Sequence, residues 1–424
     1  MVENKDNKNC CGCEACVQKC PKKCISLVQD KEGFWYPHVD ESLCIGCKLC
    51  DKVCPYNEKS EFSLSKSEEK LFAYKNDSSD ILKESSSGGA FTELATCIIE
   101  QGGVVYGAAF KDDWSVHHIC IDNIEDLKKL RGSKYVQSNI EDCYIDAEKK
   151  LQKGIMVLFT GTPCQILGLK NFLRKDYPKL LTVDFICHGV PSPGIWKRYL
   201  DEEFGKEETC RLQAADGKNT VLNSSLNAKS PIGDIKFRDK TDGWEKYRFV
   251  VRRKSAVKAD KNSVLLSDIH RDNPFMKGFL SDIYLRPSCY NCPAKKGRSG
   301  SDIQMADFWG IREVDRKFYS SKGVSMLIVH TQKGMDFLNK MKGWIKQIDE
   351  QVELLNQSYS HCAIPHPRRE EFFYRVDNED LISVINELTK QKITERVYFY
   401  IRVCLKYFRI NHFINKMKAK WERK

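Results

Sequence analysis

Apolar residues follow two rhythms along this chain, a helical spacing of three and four and short unbroken runs, and their alternation predicts an α/β body. Phe91, Leu94, Ala95, Ile98 and Ile99 share one helix face that Gly102 and Gly103 close. The run 104–110 behind it reads as a buried strand, as do 154–160 and 180–186. A helical segment, 166–173, separates the last two, and another helix is expected from Pro193. Strand, helix, strand, helix is a parallel crossover, right-handed by the general rule. Its strands end at one sheet edge, the edge where ligands bind in such folds. Near the start, 25–28 and 34–36 flank a polar turn ending at Gly33 and read as a hairpin. Residues 58–70 are polar and charged and make a linker.

Composition narrows the class. The 424 residues suit two to four domains at about 150 residues each. With 41% hydrophobic and 30% charged residues, disorder, collagen and a multi-span membrane protein are excluded. No run of 18 apolar residues occurs and the start, MVENKDNKNCC, has no apolar core segment, so neither a spanning helix nor a secretory signal is expected and the location reads as cytoplasmic. The net charge is +11, and residues 396–424, with nine Lys/Arg against one Glu, supply +8 of it. There Val397, Ile401, Cys404, Leu405 and Phe408 share one helix face, opposite Arg402, Lys406 and Arg409. Such a basic amphipathic tail either docks on the body or makes peripheral contact with an anionic membrane. No nucleic-acid reader motif accompanies the charge, and nucleic acid is not an expected partner.

Cysteine changes the picture most. Ten of the 20 cysteines fall in the first 54 residues. In a reduced compartment, dense CxxC spacing points to metal rather than disulfides. Cys10-x2-Cys13-x2-Cys16-x3-Cys20-Pro21 recurs 34 residues later as Cys44-x2-Cys47-x2-Cys50-x3-Cys54-Pro55. This is the two-cluster ferredoxin run, in which three thiolates on one loop serve one cubane and the fourth crosses to the other. One 4Fe-4S cluster should therefore take Cys10, Cys13, Cys16 and Cys54, the other Cys44, Cys47, Cys50 and Cys20. Zinc knuckles are the alternative, although they rarely show three thiolates plus Cys-Pro twice at matched spacing. Cys11 and Cys24 are left over, and Cys11 reads as a buried thiol or as an exchange partner of Cys10.

Further along, Thr162 suits a helix N-cap, Pro163 the first helical position and Gln165 the third, a capping box. Cys164 then sits in the first turn, where the helix dipole favours a thiolate. Cys187 follows the next strand, so both should lie at one sheet edge. With Cys289-x2-Cys292 they make four, the number a third 4Fe-4S cluster requires. The same thiols would suit a catalytic or redox Cys164, a zinc site, or a core. His188, beside Cys187, is the candidate proton donor, with a structural histidine as the alternative. The loop 85–90 opens a helix whose N-terminus suits an anion or an ordinary Ser cap. Counted at −2 each, three clusters would bring +11 to about +5.

The segments SSGGAFT (86–92), RGSKYVQ (131–137), GTPCQ (161–165), CHGVPS (187–192), KFRDK (236–240), CYNCP (289–293) and ADFWGI (306–311) resemble the coenzyme F420 hydrogenase/dehydrogenase beta-subunit family, in order over roughly 70–315. The resemblance implies FAD beside a 4Fe-4S cluster, with Ser87, Gly88, Gly89 and Thr92 near the flavin and Lys134, Tyr135 and Asp307 around it. It strengthens the third cluster on Cys164, Cys187, Cys289 and Cys292. It implies an oxidoreductase that passes electrons between clusters and FAD, serving an organic substrate or a carrier such as a deazaflavin, in some relatives near polysaccharide metabolism. The partner would be an electron-carrier protein or a reduced coenzyme, and the small-molecule substrate is open. The rival readings are an electron-transfer subunit without its own substrate and a cluster-based redox sensor. The expected fold is an α+β ferredoxin-like domain (1–57), a linker (58–70), an α/β domain with parallel βαβ units in two parts (71–150 and 151–335), and a helical, basic C-terminal region (336–424).

Overall fold

The computed structural model describes residues 6–57, 69–205, 232–254 and 264–390. Its strands are β1 (Ile25–Gln29), β2 (Trp35–Val39), β3 (Lys70–Lys75), β4 (Val104–Phe110), β5 (Val116–Ile121), β6 (Val157–Thr160), β7 (Leu180–Phe185), β8 (Ile232–Asp239), β9 (Arg248–Arg253), β10 (Val264–Ile269), β11 (Ile303–Asp307), β12 (Ser325–Val329) and β13 (Trp344–Ile348). An eight-stranded mixed sheet runs in the order β13-β3-β12-β11-β7-β6-β4-β5, with β10-β9-β8 as a second sheet and β1-β2 as the hairpin.

The continuous apolar runs become central strands because both faces of the large sheet are covered. Val105, Leu158, Leu181 and Ile303 pack with Leu94, Ala95 and Ile98 of the helix Ala90–Glu100. The alternate residues Val104, Tyr106, Val157, Phe159 and Leu180 pack against Ile166, Leu169 and Phe172 of the helix Pro163–Leu173. Full burial of one such side chain contributes about 1.5–3 kcal/mol.

The pairings β4–β6, β6–β7 and β7–β11 are parallel, while β12 is antiparallel to both β11 and β3. Hence β3 runs the same way as β11, β7 and β6. The loops after β3, β6 and β7 and the last residue of β11 therefore share one edge. That edge carries Ser87–Gly89, Cys164, Cys187 and Asp307.

One expectation needs correction. The region from 336 onward, read as helical, begins inside the helix Gln332–Leu338 but then supplies β13, which pairs antiparallel with β3. Gly343, at φ +115°, turns the chain back along the sheet. As an edge strand with four of its five residues exposed, β13 has no alternating pattern to reveal it. The helices Arg369–Val376 and Leu381–Leu388 follow and pack on the aromatic core of the second sheet. The basic amphipathic stretch 396–424 and the Cys404 in it lie outside the described residues. Among the described residues no helix is long and apolar enough to cross a membrane.

Candidate functional site

The two cysteine loops share left-handed backbone positions as well as spacing. Gly12 and Gly46 sit at φ +65° and +66°, and Glu14 and Lys48 at +60° and +57°. A side chain is strained in this left-handed region, so glycine at the first position lets each loop curl inward. Cys10, Cys13, Cys16 and Cys54 line one pocket together with Cys11, Leu27, Pro37 and Tyr56. Cys20, Cys44, Cys47 and Cys50 line a second with Cys24, Ile25, Val39 and Leu49. Cys54 of the second loop thus groups with the first, and Cys20 of the first with the second. Both offer thiols in apolar surroundings, the donor chemistry of an iron–sulfur cluster. Among the described residues no group of three or more His, Cys, Asp or Glu is arranged to hold a single metal ion. Cys24 is buried, with its Sγ 3.3 Å from that of Cys20.

Cys164, Cys187, Cys289 and Cys292 also come together, each within electrostatic range of others in the set. Burial pushes the Cys289 and Cys292 thiols up to about 12. Val190 donates its N–H to Cys289 Sγ at 3.4 Å, and Cys292 donates its own to Cys362 Sγ at 3.3 Å. Cys164 corrects the sequence argument. The helix N-terminus was expected to favour its thiolate, but contact with the Cys11 thiol, then burial, hold it well above the ordinary thiol range. Thr162 Oγ1 lies 3.1 Å from Cys164 Sγ, and the Thr162 N–H donates to Gln165 Oε1 at 2.9 Å. Cys11 is therefore a buried thiol that joins the first N-terminal site to the third set.

Arg286 lies between these thiol groups and was not singled out by sequence reasoning. It is 0% exposed. Its Nε donates to Cys10 O at 2.7 Å, Nη1 to Gln137 Oε1 at 2.9 Å, and Nη2 to Trp35 O at 2.9 Å and Cys10 Sγ at 3.6 Å. Its guanidinium stacks 4.3 Å from the Tyr36 ring centre.

Around the loop after β3, the polar groups divide between packing and ligand. Ser87 Oγ donates to Val324 O at 2.9 Å, and Gly88 N–H to Ser325 Oγ at 3.0 Å. A Cβ on Gly88 would meet Tyr74 O at 2.4 Å, so close strand packing accounts for this glycine. Gly89, at φ +84°, starts the helix that carries the buried Thr92, whose Oγ1 accepts from Arg131 Nε at 3.2 Å. Cations gather here. Lys134 donates to the carbonyls of Leu130, Arg131 and Gly132, and desolvation holds it down to about 7. Lys240 donates to the carbonyls of Leu82, Ser87 and Lys322, and burial lowers it to about 8. Arg238 pairs with Asp307, which also accepts from Trp244 Nε1 at 2.8 Å. Its Nε and Nη2 are buried without hydrogen-bond partners. Arg238 also stacks near Tyr247 and Trp309. The segment KFRDK thus supplies two of these cations, Arg238 and Lys240.

An aromatic bridge links the regions. Tyr135 stacks on Phe279 at 4.9 Å, and Phe279 meets the His188 ring edge-on at 5.5 Å. His188 Nε2 lies 2.5 Å from Asp282 Oδ1. Asp282, a lone acid at φ +60°, carried no sequence signal.

Comparison with known proteins adds three domain matches. Residues 9–57 match the 4Fe-4S dicluster domain, 71–143 the N-terminal and 155–350 the C-terminal domain of the coenzyme F420 hydrogenase/dehydrogenase beta subunit. No curated protein matches the chain. A solved structure described as a xenon derivatization of the F420-reducing NiFe hydrogenase complex from Methanosarcina barkeri is similar at 17% identity, over 68% of this chain and 86% of that one, with a TM-score of 0.43.

Proposed function

Because the chain belongs to the coenzyme F420 hydrogenase/dehydrogenase beta-subunit family and bears a 4Fe-4S dicluster domain in front of it, we propose that this iron–sulfur electron-transfer protein is a flavoprotein oxidoreductase. Two clusters would be held by Cys10, Cys13, Cys16 and Cys54 and by Cys44, Cys47, Cys50 and Cys20. A third would be held by Cys164, Cys187, Cys289 and Cys292. The observation that supports the reading is the shared sheet edge, which carries Cys164 and Cys187 of the third thiol set as well as the cation-lined loop after β3.

FAD, when bound, accepts electrons singly and passes them on in pairs. The residues of this chain supply the rest. Arg238 offers two buried, unsatisfied donors, and Lys134 and Lys240 hydrogen-bond to carbonyls rather than to carboxylates, cations that would suit an anionic pyrophosphate. Ser87, Gly88, Gly89 and Thr92 would hold the loop beside it, with Tyr135 and Asp307 around it. His188, whose Nε2 is hydrogen-bonded to Asp282, would hand over the proton. The substrate is an organic molecule or carrier, and an electron-carrier protein meets the dicluster domain.

Anaerobic purification followed by iron, sulfide and released-flavin assays tests this. About twelve irons and one FAD per chain are expected from three cubanes and one flavin. About eight irons without flavin would reduce the protein to a dicluster domain joined to a body of other purpose. Cys289→Ala should remove about four irons and leave the N-terminal pair intact; an unchanged iron count overturns that ligand assignment.

A further inference from the structure

A guanidinium enclosed in protein needs a counter-charge, since desolvation strongly disfavours an isolated ion. Arg286 forms no ion pair with a carboxylate among the described residues. Glu14 and Asp30 lie within its field, but Glu14 spends its carboxylate on the Ile140 and Glu141 N–H groups, at 2.9 and 3.0 Å. Asp30 accepts from the N–H groups of Glu32 and Phe34. Besides the neutral oxygens of Cys10, Trp35 and Gln137, Arg286 reaches sulfur, at Cys10 Sγ 3.6 Å away, with Cys11, Cys164 and Cys289 also in range.

We propose that Arg286 is the resident counter-charge of the iron–sulfur site on Cys10, Cys13, Cys16 and Cys54, and that it raises the reduction potential of that site above that of the site on Cys20, Cys44, Cys47 and Cys50. The inference rests on the cluster reading above. Four thiolates around a cubane core leave a net charge of about −2, which becomes about −3 on one-electron reduction. A fixed cation within hydrogen-bonding distance of a ligating sulfur favours the more negative state. Among the described residues that line the second pocket there is no arginine. Its cations, Lys22 and Lys48, are exposed and screened by water, and Cys47 is exposed as well. Electrons that arrive at the exposed site are therefore drawn inward to the Arg286 site, whose neighbour Cys11 touches Cys164.

The test is an anaerobic redox titration of the full chain, read by low-temperature EPR, for the wild type, Arg286→Gln and Arg286→Lys. In Arg286→Gln, iron and sulfide should be retained while one signal becomes harder to reduce. At its wild-type midpoint the reduced-to-oxidised ratio should fall at least tenfold, which is 59 mV for a one-electron couple. Arg286→Lys should fall between, and the signal lost in Cys47→Ala should not move in either variant. Unmoved signals with iron retained, or equal shifts of both signals, overturn the proposal. If Arg286→Gln does not fold, pulsed EPR of unmutated protein labelled with 15N-arginine decides. A guanidinium nitrogen coupling on the reduced signal is expected, and its absence overturns the assignment. A wild-type protein with no iron and no signal would instead refute the cluster reading itself.

Discussion

His118 shows how one enclosed residue sets a pH limit. It is 2% exposed, its Nε2 faces Thr160 O at 2.9 Å, and its Nδ1 has no partner. Burial presses its pKa from 6.5 to about 4, so the folded chain keeps the ring neutral where the unfolded chain protonates it. Stability from this group is complete above about pH 6.5 and is lost as pH falls toward 4, up to about 3 kcal/mol. Urea unfolding of the wild type and His118→Phe across that window should show a steeper fall with acidity in the wild type; parallel curves would remove His118 from the account. Legibility at this scale follows repetition. The eight N-terminal cysteines announce themselves because a 34-residue period repeats both spacing and Cys-Pro. Arg286 announces nothing, because its partners at Cys10, Trp35 and Gln137 are distant in sequence and two of them are backbone carbonyls. Asp282 is hidden from the chain's linear order for the same reason.

Helices and strands were legible where both faces are buried or where caps punctuate them. The helix expected over 166–173 runs from Pro163, as its cap residues foretell, and the helix Pro193–Phe204 begins where Ser192 accepts the Ile195 N–H. The edge strand β13 was not, since exposure leaves no pattern to read. What the sequence could not express is which elements meet. The helix that carries Cys164 packs on the short helix Ala15–Lys19 of the dicluster domain, and a Cβ on Gly168 would lie 2.8 Å from Cys13 Cβ and 2.9 Å from its Sγ. Ala ordinarily favours a helix by about 1 kcal/mol over Gly, but overpacking costs about 1–3 kcal/mol. Gly168→Ala should therefore lower the urea midpoint and, on the proposed ligand sets, remove about four irons while sparing the site on Cys20, Cys44, Cys47 and Cys50. A rise in midpoint with full iron would show that the two helices can part without loss.

Across the whole molecule, the dicluster domain is joined to the body at several points. Arg369 makes a two-pronged ion pair with Glu32, and both side chains are largely buried. Ser192 Oγ donates to Glu32 O at 2.5 Å, Gly194 N–H to Gly33 O at 3.2 Å, and Tyr56 OH to Ser288 O at 3.0 Å. A Cβ on Gly33 would stand 2.6 Å from the Gly194 Cα, so the two backbones touch. Glu32→Ala strands a largely buried guanidinium and should cost about 3 kcal/mol by chemical unfolding. It should also speed proteolysis at 58–70, the segment that joins the domains; an unchanged cleavage rate would mean that the pair does not hold them. These joints lay beyond sequence reasoning, which recognised two modules and a linker but no seam. The seam has a kinetic meaning. With both modules on one polypeptide and their backbones in van der Waals contact, passage of charge from one to the other needs no diffusional encounter, so its rate should be first order, indifferent to dilution and nearly so to added salt.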